Sequence, residues 1–150
     1  RWSQAGHRPR VEADYGRRGK VWVFGGFEPR TGDALTVCAP RRDTHHFLLF
    51  LEALVQRWPD HDLILILDNL SIHRSVDVLL WLLVHPQVRF LFQPTYAPWL
   101  NLIEPWWKTL RSLALKGVRF EHEGLISTSI YTATHYWNQR KHPYYWRKAA

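Results

Sequence analysis

Five consecutive apolar residues, Leu63-Ile64-Leu65-Ile66-Leu67, run without a break and stop abruptly at Asp68. A run this short, bounded by polar residues, has strand length. Because successive strand residues point to opposite faces, an unbroken apolar run predicts burial on both sides, as in a central strand covered by helices. Val88 to Phe92, stopped by Pro94, reads as a second strand, and Arg74 to Val84 between them reads as a helix. In open α/β sheets the chemistry gathers beyond the carboxyl ends of the strands. Asp68 stands at such an end.

The flanking sequence supplies the other layers. Lys20 to Phe27 is β-branched and aromatic, and Thr31-Gly32-Asp33 turns it back into Ala34 to Cys38, predicting a hairpin. Asp43 or Thr44 caps a helix with Phe47, Phe50, Leu51, Leu54 and Trp58 on one face, ended by Pro59. A Pro-rich loop, Pro94 to Pro98, leads to a helix starting near Asn101. Its stripe is Ile103, Trp106, Trp107, Leu110, Leu113 and Ala114, with Gly117 closing it. A last helix spans about Gly124 to Gln139, with Ile126, Ile130, Ala133 and Trp137 inward. Alternating strands and helices after a hairpin predict a mixed α/β sheet with helices on its faces. The expected organisation is a single domain over 1–150. Residues 1–19 form a basic loop or arm, 20–116 the core carrying Asp68 and Glu104, and 117–150 a C-terminal helix and basic-aromatic tail.

Charge and composition narrow the function. Twenty Lys and Arg against 13 Asp and Glu give a net charge of +7, which favours polyanions through counterion release. The single cysteine, Cys38, leaves no internal disulfide and argues against a cysteine-built zinc site. The longest apolar run, Val78 to Val84, is far short of the roughly 20 residues a membrane-spanning helix needs, and no secretory signal is visible. The expected location is cytoplasmic, with no membrane partner. The chain begins at Arg1 and contains no methionine, so it is not expected to be a complete initial translation product: either something was removed, or polypeptide upstream is not included.

Asp68 has two readings, since Asp-Asn after a strand is also ordinary turn and cap chemistry. Glu104, in the first turn of the tryptophan-rich helix, also has two. It can face the catalytic edge of the sheet, or pair with Lys108 at i+4.

Here the residues carry a resemblance. A strand ending in Asp68-Asn69 with His73 close behind, then Tyr96-Ala97-Pro98-Trp99-Leu100-Asn101-Leu102-Ile103-Glu104-Pro105-Trp106-Trp107, resembles the IS630/Tc1/mariner transposases. The 35 residues between Asp68 and Glu104 match the spacing of that superfamily's second Asp and final acid. The final acid is Glu, as in the bacterial IS630-like branch. Trp2 to Val11 resembles the family's Trp-x-x-x-Gly loop, and Asn138 to Trp146 its C-terminal end. Leu102 stands where proline is frequent, and Pro105 follows the glutamate, a first-turn position that tolerates proline.

The resemblance implies an RNase H-like fold, a mixed sheet flanked by helices, and a catalytic triad of two aspartates and a glutamate. Asp68 and Glu104 take two of these places, as catalytic groups and metal ligands. They would hold Mg²⁺ (or Mn²⁺), two ions in the complete site, for hydrolysis and strand transfer at transposon ends. Double-stranded DNA is the implied partner, both terminal inverted repeats and target, with a homodimer when complete. The first aspartate would end the central first strand, upstream of the Trp2 loop and so missing here. Glu12 and Asp14 follow that loop and are not assigned to it. An incomplete sheet of this kind is expected to leave the chain alone inactive and poorly soluble.

Asn69, His73 and Asn101 are candidates for shaping the site or contacting DNA. Arg8, Arg10, Arg17, Arg18, Lys20 and Lys108 are candidate DNA contacts, with a solvated basic surface as the plain alternative. Arg140, Lys141, Arg147 and Lys148, interleaved with Tyr144, Tyr145 and Trp146, read as a second patch. The other histidines (His45, His46, His61, His85, His122 and His135) read as structural or exposed. Two competing functions remain: a catalytically dead DNA-binding remnant, and an RNase H-like nuclease unconnected with transposition.

Overall fold

Strand β2 (Lys20–Glu28) divides the interior in two. In the computed structural model, which describes residues 6–12, 20–94, 102–114 and 123–145, its side chains alternate between two cores. Val21, Val23 and Phe27 enter a core built with α3 (Ile103–Ala114) and α4 (Glu123–Gln139). Phe24 enters the other, built with α1 (Thr44–Arg57). The alternation follows from the two-residue period of a strand. Gly25 and Gly26 continue it: a Cβ on Gly25 would strike the Trp107 ring, and one on Gly26 would come within 2.8 Å of Leu54 Cδ2. Both glycines admit a side chain against bare backbone.

β2 pairs antiparallel with β3 (Asp33–Ala39), as the hairpin reading predicts. Gly32 makes the turn at φ +82°, a conformation glycine adopts without steric cost. Asp33 is buried and accepts from the guanidinium of Arg57 at the end of α1 and from Lys141 Nζ at 3.3 Å. The last turn of α4 grips the same hairpin. The Asn138 side chain accepts from the Ala34 N–H at 3.0 Å and donates to its carbonyl at 2.8 Å, and Trp137 Nε1 donates to the Gly32 carbonyl at 2.6 Å.

On its other edge β2 pairs antiparallel with β1 (Gly6–Glu12), where the sequence reading places a loop or arm. Pro9 explains both the misreading and the outcome. The register jumps between Arg8 and Arg10, so Pro9 sits at an irregularity where no ladder N–H is required. The strand is held by β2's edge rather than by its own periodicity.

Helix α1 begins at an N-cap. The Asp43 side chain accepts from the His46 N–H at 2.9 Å, and this bond holds the Asp43 pKa below its ordinary value. Asp43→Ala is expected to destabilise the chain by about 1 kcal/mol at neutral pH, read by urea titration. The folded pKa lies below the unfolded one, so the contribution is complete above the unfolded value and is lost as pH falls through the folded one. The gap between variant and wild type should therefore close in acid.

β4 (Leu63–Leu67) and β5 (Val88–Phe92) pair in parallel, giving a two-stranded sheet separate from the three-stranded β1–β2–β3 sheet. The continuous mixed sheet expected from sequence is thus divided among the described residues. Leu65, Leu67 and Val88 pack under α1, but Ile64 is 50% and Leu91 54% exposed, so β4 is not covered on both faces. A groove of about 640 Å³ lies there, lined by Ile64, Ile66 and Leu91 on one side and by Glu28 and Asp33 on the other. Between the strands come a 3-10 turn (Ser71–Arg74) and α2 (Val76–Leu83), whose Val76, Leu79, Leu80 and Leu83 form an exposed apolar stripe. Leu113 of α3, expected inside, is 44% exposed. The rest of that stripe is buried: Ile103, Trp106, Trp107, Leu110 and Ala114. No helix among the described residues is long and apolar enough to cross a membrane.

Candidate active site

Asp68 follows the last residue of β4, and its side chain is 53% exposed. The backbone is fixed on either side of it. Gln93 N–H donates to the Leu67 carbonyl at 2.8 Å, and His73 Nδ1 lies 2.8 Å from the Asp68 carbonyl oxygen. The same nitrogen lies 3.3 Å from the Asp68 carboxylate. His73 is fully buried, with its ring 4.5 Å from that of Phe47 in α1. Burial pushes the imidazole pKa below its ordinary value, outweighing the Asp68 carbonyl and carboxylate, and Arg42 pushes it the same way. A buried side chain is in no position to touch a DNA backbone, so of the two roles expected for His73 only the shaping of the site fits its placement.

Glu104 is half-buried in the first turn of α3 between the buried Ile103 and the exposed Pro105. A carboxylate there sits favourably near the helix N-terminus. α3 itself packs on α4 and β2. Among the described residues no group of three or more His, Cys, Asp or Glu could hold a metal ion.

The other expected residues are scattered. Asn69 is exposed directly after Asp68, and Lys108 is exposed on α3. Arg8 and Arg10 flank the irregularity in β1, and Lys20 opens β2. Arg17, Arg18 and Asn101 lie outside the described residues, as do Trp2, Asp14, Gly117 and Trp146. Lys141 and Tyr144 of the second basic-aromatic patch have structural partners: Lys141 reaches Asp33, and the Tyr144 ring packs 4.9 Å from Phe27. His46 caps with Asp43, and His85 stacks on Trp81 at 3.8 Å. Arg42, which the sequence reading does not single out, acts electrostatically on His73 and stands 5.0 Å over the Trp22 ring. Its only signal in the sequence is a place beside the cap of α1.

The described fold is a mixed α/β arrangement with a carboxylate at a strand end and another at a helix start. A family profile described as "DDE superfamily endonuclease" matches residues 1–125. The chain is 31% identical over 110 residues to the "Insertion element IS630 uncharacterized 39 kDa protein" of Shigella sonnei, covering 73% of this chain and 32% of that protein. It belongs to the DDE superfamily endonucleases, and within them it is similar to the IS630 insertion-element protein. The chain spans about a third of the length of that curated relative. In fold it is similar to a chain in the simian T-cell lymphotropic virus intasome in complex with PP2A regulatory subunit B56 gamma. The TM-score is 0.66 at 12% identity, over 87% of this chain and 48% of that one.

Proposed function

We propose that these residues are the larger part of an RNase H-like catalytic core that cuts and rejoins DNA at transposon ends, with Asp68 and Glu104 as its metal-binding carboxylates. The observation that carries the reading is Asp68 itself, a half-exposed carboxylate directly after the three buried residues that end β4, in a chain of this family. Oxygen donors of this kind suit Mg²⁺ or Mn²⁺. Two such ions, when bound, would supply charge neutralisation for in-line displacement at phosphorus. Asp68 contributes its half-exposed carboxylate from a backbone held at the Leu67 and Asp68 carbonyls. Glu104 contributes from the rigid first turn of α3. A third carboxylate would come from a strand preceding Trp2, set into the groove beside β4. Among the described residues β4 pairs with β5 alone, and β2 pairs with β1 only as far as Gly25, which supports a place for such a strand.

DNA is the substrate that the +7 charge favours, with the complete polypeptide acting as a homodimer. Arg8, Arg10, Lys20, Asn69 and Lys108, with Arg17, Arg18 and Asn101, are its contacts in this reading. The test is nicking of terminal-repeat DNA by the complete polypeptide with Mg²⁺ or Mn²⁺. Nicking should occur in wild type and fall to background in Asp68→Asn and in Glu104→Gln. Salt-sensitive DNA binding with no cleavage under either metal would instead identify a DNA-binding remnant. Unchanged nicking in both variants would overturn the site.

A further inference from the structure

We infer that His73 is a positioning residue, holding the Asp68 carboxylate in its working direction through one imidazole nitrogen that contacts both the Asp68 carbonyl and the carboxylate. The inference rests on Asp68 being a functional carboxylate. A carbonyl oxygen only accepts, so the 2.8 Å contact requires the hydrogen on Nδ1, which fixes the tautomer. From that position Nδ1 also lies 3.3 Å from Asp68 Oδ1, a longer electrostatic contact beside the hydrogen bond to the carbonyl. One nitrogen thus touches both ends of a single aspartate, tying its side chain to its backbone.

The rest of the local structure keeps the donor in place. The His73 N–H donates to the Leu70 carbonyl at 3.0 Å, closing the 3-10 turn that carries the ring back under Asp68. Phe47 packs on the ring, and α1 is itself started by the Asp43 cap. The ring is fully buried while the carboxylate it holds is half-exposed. That pairing of a buried orienting group with an accessible ligand is the arrangement by which outer groups set the geometry of metal-binding side chains. Without it, a half-exposed Asp at a strand end would sample several staggered side-chain positions.

The experiment uses the complete polypeptide, labelled at histidine and aspartate, with His73→Leu and His73→Asn. Leucine fills the space without a donor, and asparagine keeps a side-chain N–H. In wild type, NMR should show the His73 ring protonated on Nδ1, with a coupling transmitted across the hydrogen bond to the Asp68 carbonyl. The Asp68 side chain should occupy one rotamer in wild type and His73→Asn, and average over several in His73→Leu. Mn²⁺ affinity, read by electron paramagnetic resonance, should weaken about 10- to 100-fold in His73→Leu and be largely restored in His73→Asn.

A ring protonated on Nε2, or an Asp68 side chain that stays in one rotamer in His73→Leu, would overturn the inference. If His73→Leu does not fold, the wild-type tautomer and the coupling to the Asp68 carbonyl decide it. Should Asp68 loosen as expected while Mn²⁺ affinity is the same in wild type, His73→Leu and Asp68→Asn, the positioning stands. The metal-ligand reading of Asp68 is then the part that fails.

Discussion

Trp106→Ala should destabilise the chain by about 3–5 kcal/mol, a large fraction of the roughly 5–15 kcal/mol that holds an ordinary domain folded. Trp106 is fully buried, and its ring stacks 5.5 Å from Phe27 and lies 5.4 Å from Trp107 and 6.5 Å from Trp137. Its removal leaves the aromatic centre of the α3–α4 core without a member shared by three neighbours. Those neighbours cannot collapse into the space, because Phe27 is fixed by β2 and Trp137 by its bond to the Gly32 carbonyl. Trp106→Phe keeps a ring and should lose much less. Urea titration followed by circular dichroism separates the cases: equal midpoints for wild type and the alanine variant would mean that this cluster does not hold the fold.

The second large effect follows from the strand proposed for the groove beside β4. A polypeptide extended upstream of Arg1 to include it should melt at a temperature higher by on the order of 5–15 °C than residues 1–150. Ile64 and Leu91 are half-exposed on the groove side, and covering a large aliphatic side chain fully contributes about 1.5–3 kcal/mol. The apolar residues of the new strand add to this, and the entropy of ordering its backbone offsets part of it. Paired on the β4 edge, the strand would also make amides on both partners slow to exchange. Calorimetry and hydrogen exchange on the two lengths of chain check this. Identical melting temperatures with unprotected β4 amides would remove the strand from that position.

Much of the architecture was legible because the residues that specify it are local. The bounds of β4 and β5 follow from short apolar runs with polar or proline ends, and both are found as read. Asp43 announces α1, and Ile126, Ile130, Ala133 and Trp137 fall on the buried face of α4. β1 was not legible, since nothing in a basic segment containing proline favours a strand until β2 offers an edge. Leu113 fails for a related reason: the helical period places it on the stripe, but its burial depends on whether a neighbour reaches that far. For the site, spacing and strand position single out Asp68 and Glu104. The burial of His73 and the charge of Arg42 beside it come from the closeness of α1 to the 3-10 turn, which sequence distance conceals.

The paired glycines of β2 carry a consequence for how the two cores respond to change. Where Trp107 presses on Gly25 and Leu54 on Gly26, the partition between the cores is one backbone thick, with no side chain on the strand to absorb a displacement. Elsewhere along β2 a shift on one side is cushioned by rotamer changes before it reaches the other. Here it is handed across directly. A volume change at Leu54 in α1 should therefore be felt at Trp107 in α3, the helix that begins beside Glu104. The strand acts at this point as a thin diaphragm between the layer that buries His73 and the layer that carries Glu104.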